Sequence, residues 1–350
     1  MKRIGEDILK LIVFPRIFRF DEYQHIYGDR CTMSSNRPRV SVGMPVYNGE
    51  NYIREALDSI LAQTFQNFEL VISDNASTDA TDEICKEYLA KDERIRYYRT
   101  PRNMGATWNQ NQVFKLSQGE YFKLAAHDDI CAPEFLEKCV EALDQDSSVV
   151  LAYPWTKNID QNGEVTGEYD LDGKLKLGSS RPPVRFRSMH RAFMCYPIFG
   201  VIRSAALKQT PLLGSFGHAD GALLSRLTLM GRFHEVPQHL FLNRRHPEQS
   251  TSVCSKDGNC DFYAFLVWWD PDNAGRIVFP TWRLFGEYCK AIAETPITLY
   301  DQARCYLTMA SWLRTRWVIM LQEVVVATNQ WLHANTKAAP KSQKASQGAE

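Results

Sequence analysis

The chain has 350 residues, of which 44% are hydrophobic and 23% charged, a composition typical of a globular protein that can bury a substantial core. Its 41 basic and 41 acidic side chains give a formal net charge of zero, which excludes a general electrostatic attraction to nucleic acid. Nine cysteines without a CxxC or a paired Cys/His spacing predict reduced thiols.

The first 38 residues are predicted to be an extension ahead of the main domain, because they mix charges and aromatics without a clear period. A signal peptide is not predicted, since Glu6 and Asp7 precede the apolar run and Pro15 ends it. No stretch approaches the roughly 20 apolar residues of a membrane span.

Strands and helices alternate from Val40 onward. The strands read VSVGMPV, FELVIS, RIRYYR and YFKLAA, and amphipathic segments such as YIREALDSILAQ lie between them. This alternation predicts a mostly parallel α/β sheet flanked by helices. Residues 47–51, 74–79 and 127–129 follow three of the strand ends, so we expect them to converge on one crevice.

The second half of the chain is less regular. After the strand VVLAYPW, residues 157–180 predict a hairpin or a mobile loop, and a helix follows within HADGALLSRLTLM. Residues 281–332 are predicted to be helical and the last residues to be a disordered tail. Within WLRTRWVIMLQEVVVATNQWL, a membrane-surface helix and a core helix are both possible, and we favour the core helix.

Three polar segments carry candidate chemistry. Asp128 and Asp129, in LAAHDDICAP, could bind Mg²⁺ or Mn²⁺, or they could simply cap the next helix. Asp74 ends an apolar strand in ISDNASTDAT, where it could accept a hydrogen bond from a nucleobase or belong to an Asx turn. The segment YNGEN is equally compatible with a plain turn.

The order of these segments resembles that of the family 2 glycosyltransferases, which have the GT-A fold. The matching stretches are VGMPVYNGENYIREALDSILAQTFQNFELVISDNASTDAT, NMGATWNQN and GEYFKLAAHDDICAPEFLE. The resemblance covers roughly residues 38–250 and is strongest up to about residue 150. It implies a GT-A fold, with a Rossmann-like, mostly parallel sheet flanked by helices and a helical C-terminal extension.

The resemblance also implies a division of the chain. The expected segments are an N-terminal extension (1–38), a GT-A domain (39–255) with a nucleotide-sugar half (39–150) and an acceptor half (151–255), a helical C-terminal region (256–335) and a disordered tail (336–350).

The donor site implied by the resemblance lies at the strand ends. The residues expected to contact the nucleotide sugar are Pro45, Tyr47, Asn48, Asp74, Asn103, Gly105 and Asp129. The metal ligands are expected to be Asp128 and His246, with Mg²⁺ or Mn²⁺ as the cofactor. Ala126 stands where the family usually has the first aspartate of this motif, so the contact of that aspartate is in doubt.

The resemblance assigns the general base to Asp220, which opens the helix in GHADGALLSRL. The alternative role for Asp220 is a helix N-cap. As a base it would take the proton of an acceptor hydroxyl while the nucleotide diphosphate departs from the opposite face of the sugar.

The predicted function is metal-assisted, inverting transfer of a sugar from a UDP- or GDP-linked donor to a glycan or lipid-linked acceptor. The expected location is the cytoplasm, with peripheral membrane association as a further possibility and no nucleic-acid partner. The main alternative is a non-catalytic sugar-nucleotide or glycan-binding protein. A His-Asp phosphohydrolase lacks its other spaced histidines, and a nicotinamide dehydrogenase would need a GxGxxG turn in place of YNGEN.

Overall fold

The computed structural model describes residues 37–169, 175–191, 195–249, 255–256, 259–260 and 262–337. The chain divides into two units, Met1–Arg37 and Pro38–Glu350. All elements described below belong to the second unit. The predicted N-terminal extension lies outside the described residues except for its last two, and the predicted tail lies outside them beyond Lys337.

The strands are β1 (Val40–Val46), β2 (Phe68–Asp74), β3 (Ile95–Arg99), β4 (Tyr121–Leu124), β5 (Ile130–Cys131), β6 (Val149–Ile159), β7 (Val165–Tyr169), β8 (Val201–Arg203), β9 (Arg232–Arg244), β10 (Ser255–Lys256) and β11 (Asn259–Cys260). The α-helices are α1 (Ile53–Leu61), α2 (Thr81–Leu89), α3 (Ala106–Leu116), α4 (Phe135–Gln145), α5 (Pro182–Met189), α6 (Ser204–Leu207), α7 (Ala219–Met230), α8 (Phe262–Trp269), α9 (Pro280–Glu294) and α10 (Leu299–Lys337).

The first two strands, β1 and β2, are covered on both faces. All seven residues of β2 are buried, as expected for a strand in a parallel sheet with helices on both faces. Helix α1 buries Ile53, Ala56, Leu57 and Ile60, whose spacing of three and four residues places them on one side of the helix.

Nine strands make one sheet in the order β3-β2-β1-β4-β8-β6-β9-β5, with β7 paired to β6. Strands β1 to β4 are mutually parallel, and β6 and β9 run in the same direction as β4 because β8 lies antiparallel between β4 and β6. The predicted α/β fold with a mostly parallel, helix-flanked sheet is therefore confirmed.

This topology collects the polar strand ends at one edge of the sheet. Strands β1, β2, β4 and β9 all end there. Helix α7 leads directly into the start of β9 at the opposite edge, so the helix begins at the edge where the parallel strands end. Asp220, in the first turn of α7, therefore lies on the same side of the sheet as Asp128.

The structure refines two predictions, one for the acceptor half and one for the C-terminal region. Residues 157–169 form the predicted hairpin, in which β7 pairs antiparallel with β6. Helix α10 continues to Lys337, two residues beyond the predicted boundary.

The favoured interpretation of the last apolar segment as a core helix is wrong for residues 317–326. Their large apolar side chains are mostly exposed, because this part of α10 packs against α9 through the side that carries Met320 and Glu323. Among the described helices, none combines the length and apolar composition needed to cross a membrane.

We expect Gly119→Ala to lower the free energy of unfolding by roughly 1–3 kcal/mol, because the added methyl has no room. A Cβ at this position would lie 2.5 Å from the backbone nitrogen of Ser41, a buried residue of β1. Urea denaturation measures the change. Gly286→Ala is the control: an added Cβ meets nothing within 4 Å on the exposed side of α9, so this variant should be as stable as the wild type or more stable. Equal stability of Gly119→Ala and the wild type would contradict the expectation.

Candidate active site

The loops that follow β1 and β2 are joined by hydrogen bonds. The Asn48 backbone N–H donates to Ser77 Oγ at 2.9 Å, and the Thr78 N–H donates to Asn48 Oδ1 at 2.9 Å. The Gly49 N–H donates to Thr81 Oγ1 at 2.8 Å. Asn48 has a positive φ of 51°, a conformation that asparagine tolerates better than most residues. The predicted convergence of these two strand-end segments is thus present.

The third strand-end segment reaches the same place. A Cβ added at Gly49 would lie 2.6 Å from the His127 ring, so the loop after β4 packs directly against the loop after β1. Tyr47 extends from this edge and is 42% exposed, which leaves its ring available to a ligand. The donor contacts predicted for Pro45, Tyr47 and Asn48 stay predictions.

Asn109, which sequence reasoning did not single out, ties the ends of β1 and β2 together. Its Nδ2 donates to the Ser73 carbonyl at 2.8 Å and to the Val46 carbonyl at 3.3 Å, and the side chain is buried. The signal was present in the quoted stretch NMGATWNQN, where an asparagine occupies a buried position of α3. Its role could not be seen without the positions of β1 and β2.

Asp74 is wholly buried at the end of β2. Its Oδ1 accepts from the Ser77 backbone N–H at 2.8 Å, and its Oδ2 accepts from the Tyr97 hydroxyl at 2.9 Å. Arg99 Nε lies 3.5 Å from the same carboxylate. A direct contact with a nucleobase stays a prediction, and it would require these internal bonds to rearrange. In this structure Asp74 fixes the turn after β2.

Asn103 and Gly105 belong to a loop held by Asn75. Asn75 Nδ2 donates to Asn103 Oδ1 at 2.9 Å and to the Gly105 carbonyl at 3.2 Å. Gly105 has a φ of 88°, and a Cβ there would lie 2.6 Å from Pro271 Cδ. The C-terminal region thus covers Gly105, while Asn103 remains exposed. The predicted donor contact is sterically more accessible for Asn103 than for Gly105.

Asp128 and His246, the two predicted metal ligands, are direct neighbours. His246 Nε2 lies 2.9 Å from Asp128 Oδ2, and the side chains are 6% and 16% exposed respectively. The His246 ring also packs against Tyr52, with 4.7 Å between ring centroids. Burial alone would raise the pKa of Asp128, but the hydrogen bond to His246 and the charge of His127 outweigh burial and lower it. Asp128 is therefore the ionised member of the aspartate pair.

Asp129 points inward and is 5% exposed. Its Oδ1 accepts from the Arg244 backbone N–H at 2.8 Å and from Asn243 Nδ2 at 3.0 Å. Burial and the neighbouring Asp128 charge raise the pKa of Asp129 to about 8. Two adjacent buried carboxyl groups thus hold different protonation states, because like charges at this distance disfavour double ionisation. A donor contact of Asp129 stays a prediction, and the structure gives this residue an anchoring contact with β9.

Arg244 holds the loops around the aspartate pair together. Its side chain is 1% exposed, with Nε donating to the Asp128 carbonyl at 2.9 Å and Nη2 donating to Glu55 at 2.6 Å. Nη1 lies 3.3 Å from the carbonyls of both Asp160 and Gln161, and the guanidinium stacks over the Tyr52 ring. Arginine is a residue type that commonly binds a diphosphate, but the donors of Arg244 bind the protein itself.

The surroundings of Asp220 come from distant parts of the chain. The Gly221 backbone N–H donates to Asp220 Oδ1 at 2.8 Å. A Cβ on Gly221 would lie 3.7 Å from both Cys195 Sγ and Tyr288 Oη. Burial, then the charge of Asp220 and a hydrogen bond to it, raise the pKa of the Cys195 thiol, which therefore stays protonated and donates to the carboxylate. Cys195 and Tyr288 are separated widely in sequence, so no local signal predicted this neighbourhood.

The pair formed by Asp128 and His246 suits part of a divalent cation site. Within the described ranges, no group of three or more His, Cys, Asp or Glu side chains is arranged to hold a metal ion. Mg²⁺ is commonly bound through one or two side chains, with substrate phosphates and water filling its other positions. A cation shared between this pair and a diphosphate therefore fits the residues present.

A family model described as Glycosyl transferase family 2 matches residues 41–209, which include the three converging loops and the Asp128 motif. These residues form a glycosyl transferase family 2 domain. An uncharacterized glycosyltransferase of Methanocaldococcus jannaschii is 34% identical over 136 residues, which are 38% of this chain and 47% of that protein. One from Rickettsia felis is 39% identical over 229 residues, 62% of this chain and 36% of that protein. The matches thus span less than half the length of either relative.

The family 2 domain and its C-terminal region also resemble solved structures. S. aureus TarS 1–349 in complex with UDP superimposes with a TM-score of 0.56 at 20% identity, covering 80% of this chain and 72% of that one. The same protein in complex with UDP-GlcNAc gives 0.55 at 19% identity, covering 80% and 73%. The likeness shows a shared fold, in agreement with the predicted GT-A architecture.

We expect Asp129→Asn to change how stability depends on pH. The pKa of Asp129 is raised from its ordinary 3.8 to about 8 in the folded state, so its contribution to stability is fully present below about pH 4 and is lost as the pH rises to about 8. The stability of the wild type relative to Asp129→Asn should therefore fall across this range. Urea denaturation at several pH values with a chelator present measures the difference.

The control for this measurement is Asp146→Asn. The pKa of Asp146 is lowered by hydrogen bonds from Ser148, so its contribution should be nearly constant over the same range. A stability difference between the wild type and Asp129→Asn that does not vary with pH would contradict the assignment.

Proposed function

We propose that this chain is an inverting glycosyltransferase that moves a sugar from a nucleotide diphosphate donor to an acceptor hydroxyl. The family 2 domain supports the reaction class. The observation that carries the proposal is the contact of Asp128 with His246 at 2.9 Å, at the edge where the loops after β1, β2 and β4 meet. A buried carboxylate–imidazole pair beside an exposed aromatic ring suits a ligand with a diphosphate and a base.

The donor is proposed to be a UDP- or GDP-linked sugar. Tyr47, at 42% exposure, offers a ring to the nucleotide, with Pro45 and Asn48 beside it. The TarS structures that share this fold are complexes with UDP and UDP-GlcNAc, which supports a uridine nucleotide as the first donor to test. Asn103 is exposed in the loop held by Asn75 and is the proposed contact for the rest of the donor.

Asp128 and His246 are the residues that would hold Mg²⁺ or Mn²⁺. When bound, such a cation would offset the negative charge that develops on the departing diphosphate. The lowered pKa of Asp128 keeps its carboxylate ionised near neutral pH. Arg244 and Tyr52 hold the two side chains in contact by packing on the same side of the site.

Asp220 is the proposed general base. The Gly221 N–H binds Oδ1, and the Cys195 thiol donates to the same carboxylate, so its orientation is fixed before the acceptor arrives. The acceptor hydroxyl would pass its proton to Asp220 as its oxygen attacks the anomeric carbon and the diphosphate leaves. We propose a glycan or lipid-linked saccharide as the acceptor and the cytoplasm as the location.

One observation favours a second candidate, a sugar-nucleotide or glycan-binding protein without turnover. Ala126 replaces the first aspartate of the family motif, and Asp129 faces Asn243 and Arg244 instead of the crevice. The side chains available to a metal are thereby reduced to Asp128 and His246. Turnover of the donor separates the two candidates.

We expect Asp220→Asn to lower the rate of sugar transfer or donor hydrolysis by roughly 10²–10⁴-fold, because the amide cannot accept the acceptor's proton. Release of UDP or GDP from a panel of nucleotide sugars measures the rate, and calorimetry with UDP should show unchanged nucleotide binding. Asp301→Asn is the matched control, since it also removes an aspartate from the first turn of a helix. Nucleotide binding without turnover in the wild type would favour the binding protein.

We also expect Asp128→Ala to remove the effect of Mn²⁺ on UDP binding. In the wild type, calorimetry should give tighter binding with Mn²⁺ than with a chelator, because the cation is held by protein and diphosphate together. The variant should bind UDP equally with and without Mn²⁺, and Asp301→Asn should behave like the wild type. Metal-independent binding in the wild type would count against this site while leaving the role of Asp220 open to its own test.

A further inference from the structure

Helix α10 exposes a continuous apolar surface. Between residues 317 and 326, seven large apolar side chains are each 41–59% exposed. They are Trp317, Val318, Ile319, Leu321, Val324, Val325 and Val326. Single exposed apolar residues are ordinary on a soluble protein, but a contiguous group of this size marks an interaction surface.

The opposite side of α10 is fixed against α9. Met320 and Ala327 are 1% and 6% exposed. The Trp282 indole N–H donates to the Met320 carbonyl at 3.0 Å, and the Thr281 backbone N–H donates to Glu323 Oε1 at 2.9 Å. These contacts set the rotation of α10 about its axis, so the exposed side is presented in a defined orientation.

The exposed side has the repeat of a coiled-coil seam. Eight exposed positions follow one another in alternating steps of four and three residues along α10. They are Ala303, Leu307, Ala310, Arg314, Trp317, Leu321, Val324 and Thr328, and we call them the α10 seam. The mean spacing of 3.5 residues keeps a seam facing a second helix along its length.

The exposed area matches the requirement of a specific dimer. Five of the seven residues, Trp317, Val318, Leu321, Val324 and Val325, lie on the α10 seam or beside it, and at roughly 100 Å² each they supply about 500 Å². A specific interface buries about 800 Å² per partner. Leu307 in the seam and Tyr306 beside it are 70% and 41% exposed and bring the surface to roughly 700 Å², within the range of a specific interface.

The charge pattern of α10 fits pairing with a second copy of α10 better than binding to a lipid surface. Helices that lie on membranes usually carry many Lys and Arg residues on their polar face. From residue 299 to 330, α10 has three arginines, Arg304, Arg314 and Arg316, against Asp301 and Glu323. Between the seam and the side facing α9, the exposed polar residues are largely uncharged. Polar residues within an apolar seam, here Arg314 and Thr328, are a feature that fixes register between paired helices.

We propose that the α10 seam pairs with the α10 seam of a second copy of this chain, giving a homodimer. The pairing buries Trp317, Leu321 and Val324 at the contact, with Val318 and Val325 flanking it. This assignment is independent of the sugar-transfer reaction and holds or fails without it.

The test is the mass of the full chain in solution, measured by light scattering after gel filtration over a range of concentrations. The wild type should have twice the mass of the 40.2 kDa chain. Leu321→Glu should raise the dimer dissociation constant by at least about 100-fold, because it places two carboxylates in the apolar contact. Leu307→Glu, two heptads away, should weaken the dimer in the same direction.

Val165→Glu is the matched control, because Val165 in β7 and Leu321 are both 52% exposed. It should leave the dimer intact, and circular dichroism should show that all variants are folded. A wild type that is monomeric at every concentration overturns the proposal, as does a dimer that survives Leu321→Glu. A monomer that floats with phosphatidylglycerol vesicles and loses this binding in Leu321→Glu also overturns it, since the occupant would then be lipid.

Discussion

One buried cation, the guanidinium of Arg244, holds together the edge of the sheet at which the candidate active site lies. Its side chain is 1% exposed and reaches three separate segments: the loop after β4, the turn after β6 and helix α1. Hydrogen bonds to charged groups contribute about 1.5–3 kcal/mol each, and the carbonyls of Asp128 and Asp160 would each lose one without Arg244. Because α1 follows the loop after β1 directly, the same residue fixes the distance between that loop and the aspartate pair.

The aspartate pair gains its asymmetry from that arrangement. Asp129 is drawn inward by the Arg244 backbone N–H and by Asn243, where burial raises its pKa. Asp128 is turned toward His246, which lowers its pKa. The site therefore presents one negative charge to the crevice where the sequence shows two adjacent aspartates. A single carboxylate beside an imidazole attracts a cation while repelling a diphosphate less than two carboxylates would.

Most of the fold could be predicted because its signals are local. Alternating apolar strands and amphipathic helices fixed the order of elements, and the rule that parallel strands end at one edge brought Asn48, Asp74 and Asp128 to the same side. Contacts between distant segments could not be predicted. Asn109 bridges two strands by its amide, and Tyr288 reaches the neighbourhood of Asp220 from the C-terminal region.

The wrong prediction for residues 317–326 has the same origin. An apolar helix has the same sequence pattern whether a partner covers one side or all sides, so the sequence favours a core helix although only one side, with Met320, is covered. Asp74 and Arg244 carry the residue types expected of ligand contacts. The positions of Tyr97 and Glu55 reveal that these polar atoms also bond to the protein itself, and the nucleobase contact of Asp74 stays a prediction.

Helix α9 links the surroundings of Asp220 to helix α10. Tyr288 on one side of α9 lies near Asp220, and Trp282, six residues earlier, binds the backbone of α10 at Met320. Six residues of helix span about 9 Å. A second copy held on the α10 seam would therefore restrain a helix that forms the wall beside the proposed base. Burial of the α10 seam would therefore affect the surroundings of Asp220 through α9, because α9 packs against α10 and also lies beside Asp220.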